Sequence, residues 1–188
     1  MKWSIFIAMK RSERISSISI CSMNAAILVI CSFISVPTVP PFTLQSFGVL
    51  ILTGLFGLKI TLVSYMIYLL LGIVGLPVFS GLTGGLSVII GPTGGYLIGF
   101  AFLIIVSSAL INVLGRGIFS LTLAFTVGVI VLYVIATVYY SAVWLKDTSL
   151  SSVISSASVC VLPFLLVDAA KTALAVYIVK CFEGRLRV

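Results

Sequence analysis

Long apolar runs, separated by short polar clusters, fill the chain from Ile15 to Val179. The runs are continuous, as in 96–106 and 127–136, whereas a membrane β-barrel would alternate polar and apolar positions. A helix crossing a bilayer needs roughly 20 such residues. The pattern therefore predicts six membrane-spanning helices, at about 15–36, 44–58, 60–76, 94–114, 118–145 and 153–179. The second and third are short for straight spans, which points to partial insertion or local thinning of the bilayer.

One apolar stretch cannot be a single helix. Residues 75–100 read GLPVFSGLTGGLSVIIGPTGGYLIGF, with eight glycines and two prolines in 26 residues. Both residue types break regular structure. In lipid, backbone released from a helix must be buried in protein or line a cavity, so this segment is a first place to look for a binding site.

The charges give the layout a direction. With six spans, Lys2, Lys10, Arg11, Arg14, Lys59, Arg116, Lys180, Arg185 and Arg187 all fall on one side. By the positive-inside rule that side is the cytoplasm. Both termini are then cytoplasmic, and the Gly/Pro-rich loops, including PTVPPFT at 37–43, face outward. The fold class expected is an all-α polytopic membrane protein forming a single membrane domain, 1–188. In it, 1–14 is a cytoplasmic, interfacial lead-in, about 15–179 the six-helix bundle and 180–188 a cytoplasmic tail.

Composition narrows the function. The 188 residues are 61% hydrophobic and 8% charged, with mean hydropathy +1.35, unlike a soluble domain. The net charge of +7 is explained by the positive-inside bias, and no nucleic-acid partner is expected. There is no G-x-x-x-x-G-K-[ST] phosphate loop in the sequence, so ATP-driven work would need an ATPase on another subunit. Histidine is absent, which removes the commonest general base and metal ligand. The cysteines, Cys21, Cys31, Cys160 and Cys181, form no CxxC pair and read as free, buried thiols. Neither a metal site nor a cofactor is expected.

Asp168 and Lys171 are the only charges in the interior of a predicted span. Three residues apart, they share a helix face. A charge at mid-bilayer costs around 2.5–3.5 kcal/mol on insertion scales and usually marks function, although an internal pair locking one helix to its neighbours is the alternative. The pair offers a carboxylate acceptor and an ammonium donor, suited to a ligand with an N–H beside a carbonyl, or to one with a carboxylate. Pro163, about a turn and a half earlier, can kink the span or start its regular part, and either leaves carbonyls open near the site. Gly91-Pro92-Thr93-Gly94-Gly95-Tyr96 begins the fourth span, where helix N–H groups and close backbone approach suit an anionic group. A tight turn with close helix packing explains the glycines equally well. Gln45 adds a neutral polar group at the outer end of a span, and Phe42, Phe47 and Phe79 are candidate apolar walls. Small residues at four-residue spacing in the first span, Ser17, Cys21 and Ala25, fit either a membrane partner or internal packing.

VPPFTLQ, GLPVF, GLTGG, GPTGGYLIGF and PFLLVDAAK, in that order, together resemble the BioY family, the biotin-specific substrate-binding (S) components of energy-coupling factor (ECF) transporters. The resemblance runs from the first span to the last. It implies six helices, an outward-facing high-affinity biotin site and assembly with a transmembrane coupling subunit and two ATPases in the plasma membrane of a prokaryote. It also implies a ligand-binding set of Asp168, Lys171, Tyr96, Thr93, Gly94, Gly95, Gln45 and Phe79. Competing readings are an S component for another small vitamin, a receptor or scaffold that binds without transporting, and an intramembrane enzyme using Asp168 and Lys171 as acid and base. The enzyme reading lacks a histidine, a metal cluster or a serine beside a base, and a non-enzymatic role is expected.

Overall fold

The computed structural model describes residues 11–38 and 40–183, with side chains described from Ile15 onward. Most of the expected N-terminal lead-in, and the end of the expected tail from 184, lie outside them. The chain runs α1 (Arg11–Phe33), β1 (Ser35–Val36), β2 (Phe42–Thr43), α2 (Gln45–Ile73), a 3₁₀ turn (Ser80–Leu82), α3 (Leu86–Ile90), α4 (Gly94–Leu114), α5 (Ile118–Tyr139), a π-helical turn (Tyr140–Trp144), α6 (Leu150–Cys160) and α7 (Leu165–Phe182). Among the described residues, four helices are long and apolar enough to cross a membrane, and the α6–α7 pair, bent by 58°, makes a fifth candidate. That number takes α2 as one helix.

Helix α2 is not straight. Gly57 has φ 70° and ψ −171°, a conformation open essentially to glycine alone. The Thr61 hydroxyl donates to the Leu52 carbonyl across 2.9 Å. In a straight helix those residues would stand about 13 Å apart along the axis, so the two arms, 45–56 and 58–73, fold back on each other. Spans expected at 44–58 and 60–76 thus correspond to one helix folded at a glycine. Other boundaries moved for local reasons. The end of the first expected span is strand β1, paired antiparallel with β2. The fourth, 94–114, matches α4. The last, 153–179, is broken between Cys160 and Leu165, where Pro163 has no N–H to continue the helix.

Glycines let the central helices approach closely. A Cβ on Gly95 would lie 2.7 Å from the Tyr139 Cβ, and one on Gly99 would lie 2.6 Å from a Leu132 methyl. Ser107 on α4 donates to the Ala124 carbonyl on α5. The core centres on Leu28, Tyr65, Tyr68, Phe79, Leu103, Ile104, Phe125 and Leu132, all buried. The outer faces carry bare apolar side chains such as Val113 and Leu166, each 82% exposed, as suits contact with lipid.

The ends of the bundle differ. At one, Arg116 and Lys180 both pair with Glu183, each at 2.6 Å, and the Arg116 guanidinium donates to the Gly54 carbonyl near the α2 fold. Lys59 is exposed beside that fold. At the other lie the β1–β2 pair and the Gly/Pro-rich segment. The Phe79–Thr83 bridge and the bond from Ser32 to the Val78 carbonyl at 2.6 Å fix part of that segment against α1.

Candidate ligand-binding site

Helix α7 buries one stripe: Asp168, Lys171, Thr172, Ala175, Val176 and Val179. That i, i+3, i+4 spacing sets the two charged residues on the side facing the bundle. Both are more than nine-tenths buried. The Lys171 ammonium donates to Asp168 Oδ1 at 2.8 Å, to the Thr43 carbonyl at 2.7 Å and to Ser46 Oγ at 3.1 Å. Ser46 Oγ donates to Asp168 Oδ1 at 3.1 Å, and the Tyr133 hydroxyl to Oδ2 at 2.7 Å. A buried ion pair survives in low dielectric when most of its remaining hydrogen-bonding capacity is met, and here β2, α2 and α5 meet most of it. The Lys171 Nζ also sits 4.0 Å from the Phe42 ring centroid, within cation–π range.

An aromatic wall continues from the pair. Phe42 stacks on Phe164, with centroids 5.7 Å apart, and Tyr96 meets Phe164 edge-on at 6.2 Å. The break before α7 positions both contacts. The Phe164 N–H bonds to the Val161 carbonyl in place of the Cys160 carbonyl that a continuous helix would use. The freed Cys160 carbonyl accepts the Tyr96 hydroxyl at 2.5 Å. The Pro163 kink does leave a carbonyl open, and it anchors an aromatic side chain.

Beside this wall is a cavity of about 230 Å³, lined by Thr43, Gln45, Tyr68, Phe79, Thr93, Tyr96 and Phe100 among others. A recess of about 30 Å³ adjoins it, lined by Ser46, Phe164, Asp168 and Lys171, and shares Pro41, Thr43, Tyr96 and Phe100 with it. Their combined size is near the lower end of the roughly 300–1,000 Å³ usual for small-molecule sites. A larger concavity of about 980 Å³ lies between α5 and α6–α7. Apolar side chains such as Val134, Ala173 and Val176 make most of its wall, and Tyr133, Thr137, Asp168, Thr172 and Lys180 also border it.

Six of the eight residues singled out from the sequence thus border two neighbouring hollows: Gln45, Phe79, Thr93 and Tyr96 the main cavity, Asp168 and Lys171 the recess, with Tyr96 common to both. Gly94 and Gly95 line neither. They are buried where α4 begins, Gly95 against Ala136 and Tyr139 of α5. Their part is the close helix contact that brings Thr93 and Tyr96 to the cavity. Ser46, Tyr68, Phe100, Tyr133 and Phe164 were not singled out. The tyrosines carry hydroxyls inside otherwise apolar helices, a weak sign of a polar interior, and Ser46 directly follows Gln45.

Comparison with known proteins adds the ancestry. The family model "BioY family" matches residues 8–187. The chain belongs to the BioY family. Similar BioY proteins include one from Pyrococcus horikoshii named probable biotin transporter BioY, 33% identical over 168 residues, covering 89% of this chain and 96% of the relative. Another, from Lysinibacillus sphaericus and with the same name, is 35% identical over 146 residues, 75% of this chain and 74% of the relative. The crystal structure of the S-component for biotin from an ECF-type ABC transporter superposes with a TM-score of 0.80 at 26% identity, covering 95% of this chain and 96% of the other. Each of these relatives is named as a transporter or a transporter component, not as an enzyme.

Proposed function

We propose that this BioY chain is the high-affinity biotin-binding S component of an ECF-type, ATP-driven vitamin uptake transporter. The observation that carries the reading is the buried Asp168–Lys171 pair bordering an aromatic-walled cavity in a chain of this family. Biotin has a ureido ring with N–H and C=O groups, an apolar thiophane and a carboxylate tail. Asp168 Oδ2 holds a single donor and, as a carboxylate oxygen, has a lone pair to spare for a ureido N–H. Lys171 fixes Asp168 and stands beside the place of the ureido oxygen. Phe79, Tyr96 and Phe164 cover the ring system. Thr93, Gly94 and Gly95 shape the start of α4 at the mouth.

The chain crosses the membrane six times, the folded α2 supplying two passages and α6–α7 the last. Support comes from the antiparallel arms around Gly57 and from the charge map. Arg116, Lys180, Glu183 and the Gly57 fold share one end of the bundle, which is then cytoplasmic, with both termini. The cavity opens outward beneath the 75–93 segment. The sequence has no phosphate loop, so ATP-driven work falls to another subunit, and the ECF reading implies a transmembrane coupling subunit and two ATPases. The setting is the plasma membrane of a prokaryote. A related vitamin is the second reading, because side chains of the site and not the scaffold choose the ligand.

Mass spectrometry of ligand released from the purified protein, followed by uptake assays in proteoliposomes carrying a coupling module, tests this. Biotin release and ATP-dependent biotin uptake are expected. Release of a different vitamin, with no biotin uptake, would overturn it.

A further inference from the structure

The larger concavity, of about 980 Å³, is a groove along the flank of the bundle. Ile130, Val134 and Val138 on α5 and Leu165 and Tyr177 on α7 line it, and each is more than half exposed. From Ile118 to Val138 its α5 wall covers about 30 Å of helix, the thickness of a bilayer's hydrocarbon core. An apolar surface left open over that length is one that lipid or another membrane segment covers.

The two ends of the groove differ in charge. Among the described residues that line it, Asp168 and Lys180 are the charged ones. Asp168 is paired with Lys171. Lys180 stands where the end of α7 meets the turn before α5, and donates to the Arg116 carbonyl and to Glu183. Glu183 also pairs with the Arg116 guanidinium. Two cations against one carboxylate leave that end with one positive charge in excess. The cluster is open to its surroundings, with the Lys180 and Arg116 side chains 35% and 42% exposed. The two Lys180 bonds use two of its three ammonium hydrogens, and the third is left for an outside acceptor. Tyr177, one turn earlier and 68% exposed, sets a phenol near the same level, as is common at membrane interfaces.

We propose that this groove binds an anionic phospholipid, with an acyl chain between α5 and α7 and the phosphate at Lys180. The phosphate takes the spare ammonium hydrogen and answers the excess charge. Basic pockets between membrane helices hold acidic headgroups in this way. From Lys180 to Ala169, α7 covers about 16 Å, close to the depth of one leaflet, so the charged half of the groove fits one chain. A zwitterionic lipid fills the same wall but carries a cation of its own, and leaves the excess charge unanswered. In the orientation proposed above, the lipid belongs to the cytoplasmic leaflet.

The test is native mass spectrometry of the full chain in detergent, titrated with dioleoyl phosphatidylglycerol or dioleoyl phosphatidylcholine, which differ only in headgroup. One charge near an acidic headgroup corresponds to about fivefold in affinity, and the native protein is expected to prefer phosphatidylglycerol by about that factor. Lys180→Gln should abolish the preference. Glu183→Gln breaks the same ion pair but leaves both cations, and should raise the preference by about fivefold more. Ala173→Phe, at an exposed position on the groove wall, should weaken both lipids alike. Thermal unfolding checks that each variant is folded. Equal binding of the two lipids by the native protein overturns the proposal. So does a loss of preference in Glu183→Gln matching that in Lys180→Gln, which would make the cluster a structural clasp only. Unchanged binding of both lipids in Ala173→Phe overturns it too, as does a dimer that Ala173→Phe dissociates and neither lipid displaces, which would assign the groove to a second copy of the chain.

Discussion

Replacing Lys171 by Met separates the two roles that the buried pair can have. Met keeps an unbranched apolar stem but removes the ammonium and its bonds of 2.7, 2.8 and 3.1 Å. Asp168, with its side chain 10% exposed, retains Ser46 and Tyr133 but loses its counter-charge. Stranding one member of a buried pair costs about 3–5 kcal/mol. Adding Asp168→Asn removes the stranded charge, so the double variant should regain most of that stability. Binding should not return, because the carboxylate acceptor for the ureido N–H is gone. Loss of one or two charge-assisted bonds at roughly 1.5–3 kcal/mol each corresponds to a loss of affinity from about tenfold to over a thousandfold. Thermal unfolding in detergent reads the first effect and biotin titration the second. A double variant that binds biotin like the native protein would reduce the pair to a helix lock and refute the reasoning.

Four further outcomes are expected. Tyr133→Phe removes a single donor from Asp168 and should weaken biotin by about tenfold by titration, with its melting temperature changed far less than that of Lys171→Met. Gly57→Ala meets no neighbour within 4 Å but must hold φ 70°, and should lose about 1–3 kcal/mol of stability by thermal unfolding. Gly99→Leu, facing Leu132 without room for even a Cβ, should prevent stable folding, seen as loss of the monodisperse peak in size-exclusion chromatography. Finally, Lys180 foremost, with Arg116, holds the Glu183 carboxyl below its ordinary value of 4.5. A carboxyl with a lowered folded-state value stabilises above the unfolded value, and that contribution fades as pH falls through the folded one. Acid titration of thermal stability should show this loss beginning near pH 4.5 and continuing below it, and Glu183→Gln should remove that component.

Much of the site was legible because charge is so rare here. In helices otherwise lacking ionisable groups, Asp168 and Lys171 stand out, and three-residue spacing puts them on one face before any fold is known. Helix α4 was equally plain, bounded by Gly94 and by the Gly115–Gly117 turn. Other features were not readable. Lys59 between two short apolar runs marked a break there, but that Gly57 makes it, within one helix, is shown only by its positive φ and the Thr61–Leu52 bond. Gly94 and Gly95 suggested backbone approach by a ligand, and Ile89 of α3 with Tyr139 packs on the first and α5 on the second. Tyr133 and Ser46 needed tertiary structure, since their partner Asp168 lies on another helix, and so did Tyr68, whose place at the cavity comes from packing. Pro163 predicted the kink but not its use, which is to free the Cys160 carbonyl for Tyr96.

The account rests most heavily on biotin being the ligand of the cavity between α2, α4 and α7. Titration calorimetry of ligand-free native protein with biotin, and separately with riboflavin and thiamine, tests that directly. The account predicts saturable one-to-one binding of biotin, with neither of the other vitamins competing. Absence of binding heat with biotin, or tighter binding of either other vitamin, would contradict it.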